Sequence, residues 1–268
     1  GAVRSLGVGF LSFQPSEIAK LAVIMYLSRN FSRYLQRNQS PDKGFWTALL
    51  VLGIVGGLIM LQPDLGTTVA LAGTTFILLV AAGVRLLYLG LMALGGLAGV
   101  AALIILAPYR MKRFLAFLDP WSDPLGDGFQ VIQSLLALGS GGLFGLGLGA
   151  SKQKLFYLPE RHTDFIFAII GEELGFLGAV MVLLLFFGFL WRGYKIAITA
   201  PDTFGSLVAV GITSMIAFQA VINLGVVTGS LPVTGITLPF ISYGGSSLLF
   251  TLLGVGVLLN ISRYANLK

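Results

Sequence analysis

Leu158-Pro159-Glu160-Arg161-His162-Thr163-Asp164 gathers three titratable side chains and an arginine directly ahead of the apolar run that opens with Phe165-Ile166-Phe167. Asp164 has two readings there. As a helix cap it accepts from free backbone N–H groups, a role worth about 0.5–2 kcal/mol that needs no chemistry. As a carboxylate at a membrane interface, desolvated by Phe165 and Phe167, it would have a raised pKa and suit a general base that takes a proton from a hydroxyl. The chain has one histidine, His162, and no cysteine. A His-rich zinc site or a Ser-His-Asp triad would have to use that one imidazole, and cysteine nucleophiles, disulfides and thiolate metal sites are excluded.

Other charges stand inside apolar sequence, where they are costly and by default face the protein interior or water. Glu172 and Glu173 follow Asp164 on the same run, and the i+8 spacing puts Glu172 near the face of Asp164, so that the two could line one cavity. Glu17 and Lys20 lie side by side at i, i+3 in Phe13-Gln14-Pro15-Ser16-Glu17-Ile18-Ala19-Lys20, a helix start with Pro15 in its first turn and Gln14 or Ser16 as cap. They are either an intramembrane ion pair or, with Arg4, a source of positive charge for a phosphate. Asp119, Asp123 and Asp127 recur at four-residue spacing. They lack the ligand spacing and closing glutamate of a calcium loop, and Asp-Pro turns are the plainer reading.

These residues need a scaffold, and the composition says which. Of 268 residues 56% are hydrophobic and 10% charged, against roughly 45–50% and about 25% in soluble domains. A bilayer core of about 30 Å takes roughly 20 apolar residues per helix. Seven such runs occur, at 14–35, 44–62, 65–82, 86–107, 165–191, 205–229 and 237–262. The sequence thus predicts an all-α polytopic transmembrane bundle forming one domain over 1–268. Its first residues, Gly1-Ala2-Val3-Arg4-Ser5-Leu6, carry no initiator methionine and no secretory pattern, and read as the continuation of a longer chain.

Arg29, Arg33, Arg37 and Lys43 between the first two runs, Arg85, Arg192 and Lys195, and Arg263 and Lys268 all fall on one side, which the positive-inside rule makes cytoplasmic together with the C-terminus. The net charge of +6 then speaks for this bias and for contact with membrane lipid rather than for nucleic acid. The same count puts residues 109–164 outside, although they include Arg110, Lys112, Arg113, Lys152, Lys154 and Arg161. Six cations on that face suggest an anionic ligand. The segment also carries Gly139, Gly141, Gly142, Gly145, Gly147 and Gly149. Its apolar spacing over Gln130–Leu138 predicts a short amphipathic or re-entrant helix, so that the loop would lie as an ordered lid over an active site.

Together these motifs resemble the SEDS family of shape, elongation, division and sporulation proteins, which includes FtsW, RodA and SpoVE. Five stretches carry the resemblance in order along the chain: Phe13 to Lys20, Gln62-Pro63-Asp64-Leu65-Gly66-Thr67, Asp119-Pro120-Trp121 through Gln133-Ser134, Leu158 through Gly175, and Leu238-Pro239-Phe240-Ile241-Ser242-Tyr243-Gly244-Gly245-Ser246-Ser247. Asp119-Pro120-Trp121 and Gln153 to Glu160 look more like the FtsW and SpoVE branch than the elongation branch. Members have ten transmembrane helices, so the resemblance implies that these seven are the last seven. It also implies polymerisation of lipid II, the undecaprenyl-diphosphate-linked disaccharide-pentapeptide, into glycan strands in cell division or sporulation at the bacterial plasma membrane.

On that comparison the family's essential acid falls on Asp164, its arginine on Arg4, and its Glu and Lys on Glu17 and Lys20. Ser5 departs from the family's usual Trp. The implied chemistry has Asp164 as base on the 4-hydroxyl of lipid II N-acetylglucosamine. Arg4, Glu17, Lys20, Lys152, Arg161 and His162 would bind substrate, with a divalent cation, Mg2+ or Mn2+, possible on the diphosphate, although no metal-ligand set is read from the sequence. The implied partners are lipid II, the nascent glycan strand and a class B penicillin-binding protein. Two rivals remain at this point: a lipid II flippase that uses Glu17, Lys20 and Asp64 as a headgroup path, and a non-catalytic scaffold.

Overall fold

In a computed structural model of the chain, the structure describes residues 6–8, 11–151 and 162–265. The regular elements are helices apart from a short antiparallel hairpin, β1 (Leu6–Val8) with β2 (Leu11–Phe13), in the register Leu6↔Phe13. The seven expected long helices are α1 (Pro15–Gln36), α2 (Asp42–Leu61), α3 (Leu65–Ala81), α4 (Leu86–Ile105), α7 (Ile166–Thr199), α8 (Thr203–Val227) and α9 (Gly245–Tyr264). Between α4 and α7 lie α5 (Pro108–Leu118) and α6 (Phe129–Ser140). The latter is the amphipathic helix that the spacing predicts. Five of the described helices, α2, α4, α7, α8 and α9, are long and apolar enough to cross a membrane. α1 is less apolar, with Glu17, Lys20, Arg29 and Arg33 along it, although its 22 residues span about 33 Å at 1.5 Å per residue. This is a multi-pass, predominantly helical membrane protein.

The chain divides into two compact units, through both of which α4, α7 and α8 run. The first comprises Gly1–Gly96, Gly188–Phe218 and Gly244–Lys268, and its core is apolar: Ile24, Leu27 and Phe31 of α1, Leu71 and Leu78 of α3, and Ile212 and Ile216 of α8 are buried. Gly211 lets α1 approach closely, since a Cβ there would collide with the Ile24 side chain. At one end of this unit Asp42 at the start of α2 accepts from the Arg85 backbone N–H (3.1 Å) and pairs with its guanidinium (2.8 Å). That contact puts Arg85 at the same end as Lys43, as the charge count requires. At the start of α3, Asp64 caps the helix, accepting from the Thr67 N–H at 3.0 Å and its hydroxyl at 2.9 Å. α4 is the least covered of the long helices: Leu86, Leu87, Leu91, Leu94 and Leu97 are all exposed, as a lipid-facing helix requires.

The second unit comprises Leu97–Phe187 and Gln219–Tyr243, and the glycine-rich segment after α6 is its least predictable part. α7 is broken at Gly175, whose φ is +68°. The break frees carbonyls before it and N–H groups after it, and within a membrane every such group needs a partner. Residues 142–147 supply four. Leu146 N–H donates to Glu172 O (3.0 Å) and Gly147 N–H to Glu173 O (3.1 Å), while Phe176 N–H donates to Gly142 O (2.8 Å) and Leu177 N–H to Leu143 O (3.2 Å). A Cβ at Gly141 would strike the Gly171 carbonyl, and one at Gly145 the Glu173 carbonyl. The glycines let backbone lie on backbone, so this part of the 109–164 segment is a strap fixed to α7, not a lid.

Two helix boundaries depart from the hydropathy reading. α7 runs on to Thr199 rather than 191, and its extension is packed, with Ile196 and Ala197 buried against Ala209 and Leu258. α9 begins at Gly245 rather than 237. Residues 228–244, apolar but irregular, include Phe240 at φ +67°, a conformation in which no helix forms.

Candidate functional site around Asp164

Asp164 stands in the turn just before α7. The helix starts at Ile166 and the Ala168 N–H bonds the Phe165 carbonyl at 3.0 Å, which moves Asp164 one residue out from the cap position expected of it. Its side chain is half-buried, and Phe165 and Phe167, which follow it in the chain, are buried.

What holds this turn comes from far along the chain. Three successive carbonyls are each gripped by a donor from α8 or the segment after it. His162 O accepts from the Tyr243 N–H (2.8 Å), Thr163 O from the Ser242 hydroxyl (2.6 Å) and Asp164 O from the Asn223 amide (2.7 Å). Ser242 Oγ also accepts from the Leu238 N–H at 2.7 Å, and Asn223 Nδ2 also donates to Ile236 O at 2.8 Å. Asn223 is 1% exposed. With its Nδ2 between two carbonyls its orientation is fixed, because only the amide nitrogen can donate. Nothing in local sequence singles out Asn223, and the one available signal is a side chain with two amide donors inside an apolar helix. Ser242 lies in a motif read for its small residues, and close packing alone does not describe it.

His162 is exposed and lines a cavity of about 180 Å³ with Leu148, Ile166, Ile169, Ile170, Glu173 and Leu174. Its lining is mostly apolar, with an imidazole and a carboxylate among it. Glu172, expected to face a common cavity with Asp164, is instead 1% exposed and accepts from the Ser151 hydroxyl at 2.5 Å. Glu173 is the member of the pair that reaches the cavity. Arg4, Lys152 and Arg161 lie outside the described residues.

Glu17 and Lys20, in the first unit, form the ion pair that the i, i+3 spacing allows: Lys20 Nζ is 2.8 Å from Glu17 Oε1, with the two residues 1% and 7% exposed. A buried, self-neutralised pair of this kind offers no net charge to a phosphate. Gln14 holds the α1 cap position without a side-chain cap bond, and the Ser16 hydroxyl is buried without a partner among the described residues. Asp119 and Asp123 serve as turn acceptors, from the Trp121 N–H (3.2 Å) and the Asp127 N–H (3.1 Å) respectively. That accounts for their spacing without calcium. No three His, Asp or Glu side chains come together among the described residues. The described side chains thus form no cage for a divalent cation.

The comparisons with known proteins agree with this architecture. The family model described as cell cycle protein, of FtsW, RodA and SpoVE type, matches residues 1–267. Stage V sporulation protein E of Bacillus subtilis (strain 168) is 56% identical over 265 residues, covering 99% of this chain and 72% of that protein. The probable peptidoglycan glycosyltransferase FtsW of Trichlorobacter lovleyi is 48% identical over 262 residues, covering 98% and 69%. Among solved structures, one described as the structural coordination of polymerization and crosslinking by a peptidoglycan synthase complex superposes with a TM-score of 0.80 at 38% identity, covering all of this chain and 75% of that one. The Thermus thermophilus rod shape determining protein RodA superposes with a TM-score of 0.70 at 32% identity, covering all of this chain and 71% of that one. With a family model running over nearly its whole length and relatives well above 40% identity, the chain belongs to the FtsW/RodA/SpoVE family.

Proposed function

We propose that this chain is a peptidoglycan glycosyltransferase that polymerises lipid II, and that Asp164 is its general base. The observation that carries the reading is the turn at 162–164: a half-buried carboxylate on a backbone gripped at three consecutive carbonyls, beside an apolar cleft that suits a lipid-linked substrate. Asp164 takes the proton of the acceptor N-acetylglucosamine 4-hydroxyl as that oxygen attacks the anomeric carbon of the growing chain. The new C–O bond forms as the bond to the diphosphate oxygen breaks. Undecaprenyl diphosphate leaves with the electron pair, and in-line attack inverts the anomeric centre. Arg4, Lys152 and Arg161 are the cations proposed to stabilise that leaving group. The outer face carries residues 109–164 and the C-terminus is cytoplasmic, in keeping with Lys43 and Arg85 sharing one end. The proposed partner is a class B penicillin-binding protein, as the synthase-complex relative suggests, and the proposed setting is division or sporulation.

The test is incubation of the protein, with and without that transpeptidase, with purified lipid II in liposomes, followed by separation of glycan products by length. Polymer is expected, most of it with the partner present. Translocation of lipid II without polymer would instead favour a flippase. Against that rival, Asp64 is engaged in capping α3 and Lys20 in pairing with Glu17.

Asn223 tests the geometry of the base. Replacing it by Leu, of similar size, strips donors from two buried carbonyls. A displacement of the turn by about 1 Å is expected to lower kcat by about 10²-fold, because general-base transfer depends steeply on placement. KM should change little. Equal turnover in Asn223→Leu and parental protein would show that the amide does not position the base.

A further inference from the structure

A second cavity in the same unit, of about 260 Å³, opens between α5, the turn at 123–128 and the start of α6, with Val233 closing it from the segment after α8. Arg113 and Asp127 line it with Gln130 over an apolar floor of Ala116, Phe129 and Val131. Ala116 and Val131 are buried. The two charges are opposite in sign, yet neither forms an ion pair with the other or with any described residue. Asp119 and Asp123 next to them are spent on holding the turn, and Gly128 packs so tightly against the Pro120 carbonyl that a Cβ would collide with it. Asp127 is thus displayed on a braced support rather than on a loose loop.

The lining selects a ligand chemistry. A guanidinium pairs best with a carboxylate, in a two-pronged geometry. A carboxylate takes N–H donors, and an amide side chain such as Gln130 offers both donor and acceptor. Arg113 and Asp127 are both exposed: a ligand carrying both charges pairs with each of them, a neutral sugar with neither, and a phosphate meets repulsion from Asp127. A short peptide with a free carboxylate, amide or ammonium N–H groups and small aliphatic side chains satisfies all of it. The volume is below the roughly 300–1,000 Å³ of pockets that enclose a whole drug-sized ligand, which fits a substituent of a larger substrate. The cavity is also within reach of the base. Val233 precedes Ile236 by three residues, about 11 Å at full extension, and the Ile236 carbonyl shares the Asn223 amide with that of Asp164.

We infer that this cavity is a subsite for the peptide carried by the lipid-linked disaccharide, with Arg113 on its terminal carboxylate and Asp127 on its N–H groups; the inference rests on the lipid II reading above. The test measures equilibrium binding to the full protein in lipid nanodiscs, so its outcome does not depend on whether polymer forms. Three ligands are compared: the lipid-linked disaccharide with its peptide, the same with the peptide's terminal carboxylate amidated, and the same without the peptide. The parental protein is expected to prefer the complete ligand by about tenfold or more over each of the others, as loss of a charge-assisted hydrogen bond implies. Arg113→Ala should abolish the distinction between carboxylate and amide. Arg113→Ala with Asp127→Ala should bind the ligands with and without peptide alike. Equal parental affinity for the three ligands, or a preference that survives in the double variant, would overturn the subsite. Failure to form polymer from lipid II, with these preferences intact, would overturn the polymerase reading and leave the peptide site standing.

Discussion

Asp164→Asn is expected to give a protein that inserts, folds and binds lipid II but polymerises it some 10²–10⁴-fold more slowly, the span that general-base assistance supplies. The three tethers from Tyr243, Ser242 and Asn223 reach backbone carbonyls of this turn. An amide of the same shape therefore leaves them in place while it removes the basic lone pairs. The measurement is initial polymerisation rate from lipid II with the transpeptidase present, alongside the melting temperature of the purified protein. A parental melting temperature with the rate lost locates the defect in chemistry. A rate near parental would remove Asp164 from the reaction.

Lys20→Met should act on stability first. Glu17 and Lys20 are buried together, and deleting one member of such a pair leaves an uncompensated charge, at a cost of about 3–5 kcal/mol. Lower yield and a large fall in melting temperature are expected. Lys20→Met combined with Glu17→Gln removes both charges and should recover most of the loss, since a neutral pair of similar volume needs no solvation. Recovery of fold together with polymerisation would make the pair structural. Recovery of fold without polymerisation would restore the substrate-binding role that the family resemblance implies. A single variant as stable as the parental protein would contradict the burial of the pair.

The sequence by itself determined that the chain crosses a membrane several times, and nearly where. A hydrocarbon layer demands about 20 apolar residues from each helix, a local property that needs no knowledge of neighbours. The same locality let α6 be read from its spacing, and the i, i+3 geometry of Glu17 and Lys20 gave their pairing as one of two outcomes. Asp164 was legible through the company it keeps, three charged or titratable neighbours and two phenylalanines.

Only the tertiary structure decided what holds it. Hydropathy cannot separate an apolar helix from an apolar irregular segment, so the sequence places the start of α9 at 237, whereas residues 237–244 supply the Tyr243 N–H and the Ser242 hydroxyl to the Asp164 turn. Nor can it see that Gly175 breaks α7, because the groups the break exposes are paired by the backbone of residues 142–147, some 30 residues earlier. Asn223 is 59 residues from Asp164, and no local rule links the two. Arg113 and Asp127 share a cavity only because a braced turn folds one towards the other. Insertion into a bilayer follows from transfer energies summed along the chain, whereas the placing of a base follows from hydrogen bonds between segments that meet only when the bundle is packed.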